Sequence, residues 1–421
     1  MPALLGSRLS FCTVLDASLA NRAEEVPRES AIEVDDLGLS LGVEREEIES
    51  PEGSHPAEPF PFDPKKIDVV TEVRSLDNVL KRLKARQIDL DPDFQRSRGI
   101  WTPRKKSLLI ESLLLRIPLP TFYVAELHEG ANLGEDAWAV VDGIQRLSTI
   151  AEFVTPDVLG SSPLRLGGLE YLETADGHTF DELPLPLQLR VEESQFTFQV
   201  IRRSTPENVK LNIFARINTG GESLTAQELR HALIPGPARA FLKQLAESEA
   251  FREGVDNSVR PKRMADREMV LRFLAFRVED PLSYTQQDFD QFLRASMQTC
   301  NGWDEPAREH ARSEFEQAMR VCRELFDNDA FRKRYHDRDS RRPISKALFE
   351  AVAVAVATVA AEQGSDGIAR LIRRREDVRS GFRKLMEDAT FERAISQGTG
   401  DPVRVRQRFG RLIVLMQDCS A

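Results

Sequence analysis

The chain has 421 residues and a formal net charge of −10, long enough to bury a sizeable core and to hold two domains. The charge is unevenly spread: residues 1–60 carry 13 Asp/Glu against 4 Lys/Arg, a net of −9, while the rest carry 55 against 54. The body is therefore nearly neutral, and the acidic total does not exclude a nucleic-acid partner.

No uninterrupted apolar run approaches the roughly 20 residues of a membrane span. The nearest, Ala347 to Ala361, includes Glu350 and reads as a buried helix. Cys12, Cys300, Cys322 and Cys419 are scattered without metal-ligand spacing, so free thiols are expected rather than a zinc site. Met1 to Ala20 lacks a basic stretch followed by a continuous apolar one, which argues against a secretory signal. A cytoplasmic protein without a membrane partner is the expectation.

In chain order, residues 1–62 are acidic and rich in Pro, Ser and Glu, the composition of a disordered arm. Val73 to Leu83 has helical periodicity, with Leu76, Val79, Leu80 and Leu83 on one side. Ile88 to Arg96 is extended and turn-rich. A helix is predicted over Pro103 to Arg116, stopped by Ile117-Pro118-Leu119-Pro120. Phe122–Leu127 and Trp138–Val141 read as strands, and an apolar-periodic helix follows through Leu147, Ile150 and Phe153. Gln195–Arg202 is a further strand. Thr205-Pro206 opens a helix that ends at Asn218-Thr219-Gly220-Gly221, and another begins near Thr225. Beyond about residue 235 the pattern is helical, including Arg267–Phe276, Ser313–Phe326, Ile344–Glu362 and Gly367–Glu376.

The junction Asp142-Gly143-Ile144-Gln145-Arg146 carries the most chemistry. A strand that turns at Asp-Gly into a helix aims the first helical N–H groups at whatever lies above the strand end, which favours an anion. Arg146 adds a planar fork of donors suited to phosphate. The bland alternative is a tight turn with surface hydrogen bonds.

Three further runs accompany this turn: Pro92-Asp93-Phe94-Gln95-Arg96 with Trp101; Glu111 through Pro120; and Phe214 through Thr225, continuing to Glu228 and Arg230. In this order and spacing, over roughly residues 67–235, the chain resembles the GmrSD-type restriction endonuclease N-terminal domain family, related to the ParB/sulfiredoxin-like fold. The helical remainder looks like stand-alone members of that group. The resemblance implies nucleoside triphosphate binding, in some members hydrolysis, coupled to DNA cleavage in bacterial defence against phage. The family pattern usually has Gln where this chain has Ile144, which favours binding over turnover.

The expected fold is therefore α+β: an acidic arm over 1–62, a ParB/sulfiredoxin-like mixed α/β nucleotide-binding domain over 63–235, and an all-helical domain over 236–421. The catalytic candidates are Asp142, Gln145 and Arg146: Asp142 to hold Mg2+ or polarise water, Gln145 to orient water, Arg146 to hold phosphate oxygens. Gln95, Arg96, Gly143, Asn218 and Gly220 are candidate nucleotide contacts. Arginine clusters at Arg338, Arg341, Arg342 and Lys346, at Arg370 and Arg373 to Arg375, and at Arg404, Arg406, Arg408 and Arg411 are candidate DNA contacts, or else solvated helix faces. His310 and His336 do not form an HNH pattern, so DNA cleavage is expected from a separate nuclease partner. The alternative is a non-catalytic DNA-binding or scaffold module whose turn grips a phosphate.

Overall fold

A computed structural model describes residues 42–44, 46, 66–90, 101–127, 136–206, 209, 210, 213, 214, 217, 225–336 and 339–421. Most of the expected acidic arm, and the turn carrying Gln95 and Arg96, lie outside these residues. All described residues fall in one compact unit.

The N-terminal part is mixed α/β. Its elements are β1 (Val69–Ser75), α1 (Leu76–Lys84), β2 (Ile88–Asp89), α2 (Pro103–Leu114), β3 (Phe122–Glu126), β4 (Trp138–Asp142), α3 (Ile144–Val154), α4 (Leu185–Glu192) and β5 (Gln195–Ile201). The sheet order is β1-β5-β3-β4-β2. β1 runs antiparallel to β5, β5 parallel to β3, β3 antiparallel to β4, and β4 parallel to β2.

Val73 departs from the helix expected over Val73–Leu83. Val69 to Ser75 pairs residue by residue with Ile201 to Gln195, leaving Val73 exposed in β1. The helix begins at Leu76 because the Ser75 side chain accepts from Asn78 N–H at 3.4 Å and caps it. From there the expected face is buried through Leu76, Val79, Leu80 and Leu83. α2 starts similarly, with Thr102 as cap and Pro103 in the first turn.

Strand alternation sorts side chains to the two faces of the sheet. Phe122, Val124, Trp138, Val140, Phe196, Phe198 and Val200 join α1, α2 and α3 in the main core. Ala125, Val141 and Ile201 turn to the other face and meet Phe214, with Tyr123, Ile213 and Leu229 packed around them. α5 (Ala226–Leu233) belongs to this second layer and is opened by a reciprocal capping box between Thr225 and Glu228.

Glu111, inside the Glu111–Pro120 run, has a structural task. Its buried carboxylate accepts from the backbone N–H groups of Glu170, Tyr171 and Leu172 at 3.0, 2.7 and 2.9 Å. Burial raises its pKa, but these three donors outweigh that and hold it below the ordinary value.

The C-terminal part is all helical: α6 (Pro237–Ala246), α7 (Glu249–Gly254), α8 (Ala265–Val278), α9 (Phe289–Asn301), α10 (Glu305–Phe326), α11 (Lys346–Arg373), α12 (Arg375–Glu387), α13 (Ala389–Ser396) and α14 (Pro402–Ser420). α11 is the axis of this core. By length and composition alone it could cross a membrane, yet Ala347 to Ala357 are all buried among the other helices. The helix breaks at Gly364, whose φ of 63° and ψ of −154° interrupt the regular turns, close to where two separate helices are expected from sequence. Cys300, Cys322 and Cys419 are buried free thiols, and burial pushes Cys300 up to about 12, which makes it a poor nucleophile at neutral pH.

The two parts are tied together. Met264 is fully buried in the core of the α/β part although it lies just before α8. Arg239 on α6 donates to Asp89 at 2.6 Å, and Arg263 pairs with Glu228 at 3.2 Å.

Candidate functional site

The turn between β4 and α3 forms as the sequence suggests. Asp142 ends the strand, Gly143 takes the left-handed conformation with φ 95° and ψ 8°, and Ile144 starts the helix. Glycine is required here on two counts. The positive φ penalises other residues, and a Cβ would stand 2.9 Å from Phe122 Cε1. No side chain among the described residues caps α3, so its first N–H groups are open to an acceptor.

The three chemical candidates in the turn are placed differently. Arg146 is largely buried and committed: its Nη2 donates to Asp142 Oδ2 at 2.7 Å and to Thr121 O at 3.4 Å, and its Nη1 donates to Pro120 O. The guanidinium also lies 4.5 Å over the Phe122 ring. Burial draws its pKa down while Asp142 opposes this. Asp142 is partly exposed and gives one oxygen to Arg146. Gln145 is half-buried, and its Nε2 is shut from solvent without a hydrogen-bond partner among the described residues. An unpaired buried amide costs free energy unless something accepts from it.

Ile144 is buried in the main core. At this position the chain spends its side chain on packing, so the turn offers one amide, Gln145. The anchoring carbonyls of Pro120 and Thr121 are not visible as site residues in sequence. The signal is the Pro118-Leu119-Pro120 run, which reads as a helix stop but also fixes an extended backbone beneath the turn.

The other candidates divide. Gln95, Arg96, Asn218 and Gly220 lie outside the described residues. Trp101 packs against the main core, with Lys105 Nζ 4.5 Å over its ring. Glu228 is fully buried, caps its own helix and pairs with Arg263. Among the described residues no group of three or more His, Cys, Asp or Glu side chains is arranged to hold a metal ion.

Several clustered arginines are occupied internally. Arg341 pairs with Asp256, Arg370 donates to Ser420 O, Arg374 pairs with Asp377, and Arg406 donates to Tyr284 O. Arg408 is fully buried against Glu350. Arg338 lies outside the described residues.

No curated protein sequence matches the chain significantly. Residues 79–235 match the model of the GmrSD restriction endonuclease N-terminal domain. That span takes in most of the sheet, the turn at Asp142–Arg146 and α5, and by this match the chain carries a GmrSD N-terminal domain followed by a helical region.

Proposed function

We propose that the protein is a nucleotide-binding component of a bacterial restriction or antiphage system acting on DNA, with cleavage supplied by a separate nuclease. The observation that carries this reading is the unpaired Gln145 Nε2 beside the uncapped amino end of α3, within a domain of the GmrSD family. Helix N–H groups and a side-chain amide together suit a phosphate oxygen. Gly143 lets that oxygen approach the backbone, and Arg146 braces Asp142 rather than gripping phosphate itself.

A triphosphate would bring charge that Mg2+ ordinarily neutralises, and such ions are held by one or two carboxylates plus phosphate oxygens. Asp142 Oδ1 is the oxygen left to serve, since Oδ2 accepts from Arg146. Burial of Ile144 leaves a single amide at the turn, which favours binding over turnover. The same geometry supports a second reading in which the turn grips a phosphate of DNA without hydrolysis, the protein then acting as a scaffold in the cytoplasm.

The test measures binding of each nucleoside triphosphate with Mg2+, and phosphate release, in the unaltered protein, Gln145→Ala and Arg146→Ala. Nucleotide affinity should fall about tenfold in Gln145→Ala, the loss of roughly one charge-assisted hydrogen bond, with the melting temperature unchanged. Unaltered affinity in Gln145→Ala overturns the assignment. Phosphate release that depends on Arg146 makes the protein a hydrolase.

A further inference from the structure

The helical part contains a cluster of buried cations that share few carboxylates of their own among the described residues. Arg272 on α8 is fully buried; its Nη2 and Nε donate to Glu268 Oε1 at 2.9 and 3.1 Å, and its Nη1 to Glu350 Oε2 at 3.3 Å. Glu350 also accepts from the buried Arg408. Lys346 Nζ donates to the other oxygen of Glu268 at 3.0 Å. Three cations thus share two carboxylates. Beside them the nearly buried Lys333 donates to Ser396 Oγ at 2.9 Å, and that hydroxyl donates in turn to Glu392 Oε1 at 2.6 Å, so Lys333 meets a helical carboxylate through a hydroxyl relay.

Further negative charge comes from far away in sequence. Glu46 Oε2 lies 2.6 Å from Arg272 Nη2, and its carboxylate is almost wholly enclosed. Glu44 Oε1 accepts from Lys333 Nζ at 2.8 Å. The buried Thr399 hydroxyl hydrogen-bonds the Glu46 carboxylate in the same place. Among the described residues the segment bearing these glutamates is also held by packing of Val43 against the helical core and by backbone hydrogen bonds to Ile344. Glu44 N–H donates to Ile344 O at 2.8 Å and Ile344 N–H to Gly42 O at 3.0 Å, around a single bridge between Val43 and Ile344.

Burying a cation without an anion is costly, and a fold that needs these charges only for cohesion can place the partners on its own helices, as it does for Arg408 and Glu350. Here two anions are instead lent by a segment far away in sequence, Glu44 to Lys333 and Glu46 to Arg272. We propose that Glu44 and Glu46 are intramolecular stand-ins for a phosphate ligand: they fill a cationic socket formed by Arg272, Lys333 and Lys346, with Thr399 in its wall, and the socket takes a phosphate group when the two carboxylates withdraw. A carboxylate and a phosphate present similar acceptor oxygens to Arg and Lys. The tethered carboxylates compete as a high local concentration, so a free phosphate meets an occupied site in the resting protein. The socket shares no residue with the Asp142–Arg146 turn, and its test does not depend on that site.

The experiment uses the full chain, the double variant Glu44→Gln/Glu46→Gln, and that variant with Lys333→Ala added. Each is titrated by calorimetry, at constant ionic strength, with inorganic pyrophosphate and separately with a short single-stranded oligonucleotide. The double variant should bind at least one probe ten times more tightly than the unaltered protein, and Lys333→Ala should remove the gain. A gain with pyrophosphate assigns the socket to small phosphates; a gain with the oligonucleotide alone assigns it to a nucleic-acid backbone. Equal affinity in all three proteins, or no binding by the folded double variant, overturns the proposal. If the double variant is unstable, pyrophosphate or the oligonucleotide should restore its melting temperature, and failure of both to do so overturns the proposal as well.

Discussion

Arg146 Nη2 donates to Asp142 Oδ2 at 2.7 Å, one helical turn back across Gly143. The pair fastens the end of β4 to the start of α3, while Arg146 simultaneously reaches the carbonyls of Pro120 and Thr121. Asp142 is partly exposed and its share of the attraction is screened. A double-mutant cycle with Asp142→Asn and Arg146→Ala should therefore give a coupling of about 1 kcal/mol in denaturant unfolding. The Arg146→Ala single change should cost more than its partner, because it also strips two carbonyls of a donor. Coupling near zero means that the pair does not brace the turn.

Gly143→Ala should destabilise the protein by about 2–4 kcal/mol, combining left-handed strain with overpacking against Phe122. Pairing it with Phe122→Leu should recover part of the loss by removing the ring edge that the new methyl group meets. Urea midpoints of the single and double variants decide the matter, and a neutral Gly143→Ala contradicts the steric argument.

Glu111→Gln should cost about 2 kcal/mol at neutral pH, since one amide oxygen replaces a carboxylate that gathers three backbone donors. The folded pKa of Glu111 is depressed. Its stabilisation is therefore complete above the unfolded carboxylate value of about 4.3 and fades as pH falls through the lower folded value. Melting curves from pH 6 to pH 3 should show the gap between unaltered protein and variant narrowing at the acid end. A gap that stays constant counts against this anchor.

Apolar spacing made α2 and the later part of α1 legible in the sequence, and the start of α5 near Thr225 likewise, because those signals are local. Val73 misled for a physical reason. Its apolar side chain fits the helical period of Leu76 and Leu80, but pairing of β1 with β5, more than a hundred residues later, claims it for a strand. The Asp142–Arg146 turn was legible as a turn, whereas the commitment of Arg146 was not. That depends on carbonyls brought beneath it by the Pro118–Pro120 segment. The arginine clusters likewise read as surface charge, yet Arg408 is sealed against Glu350, a partner 58 residues away that periodicity does not reveal. The mixed α/β and helical division was readable because a change from period-two runs to continuous helical pattern survives without knowledge of tertiary contacts.

Met264 gives the junction between the two parts a further meaning. A residue that stands after α6 and α7 completes the hydrophobic interior of the sheet part, much as a dowel from one board fills a hole in the next. The helical part is therefore not a cassette that recombination can exchange freely. A replacement must arrive with its own apolar side chain at that position, or the sheet inherits a vacancy the size of a methionine.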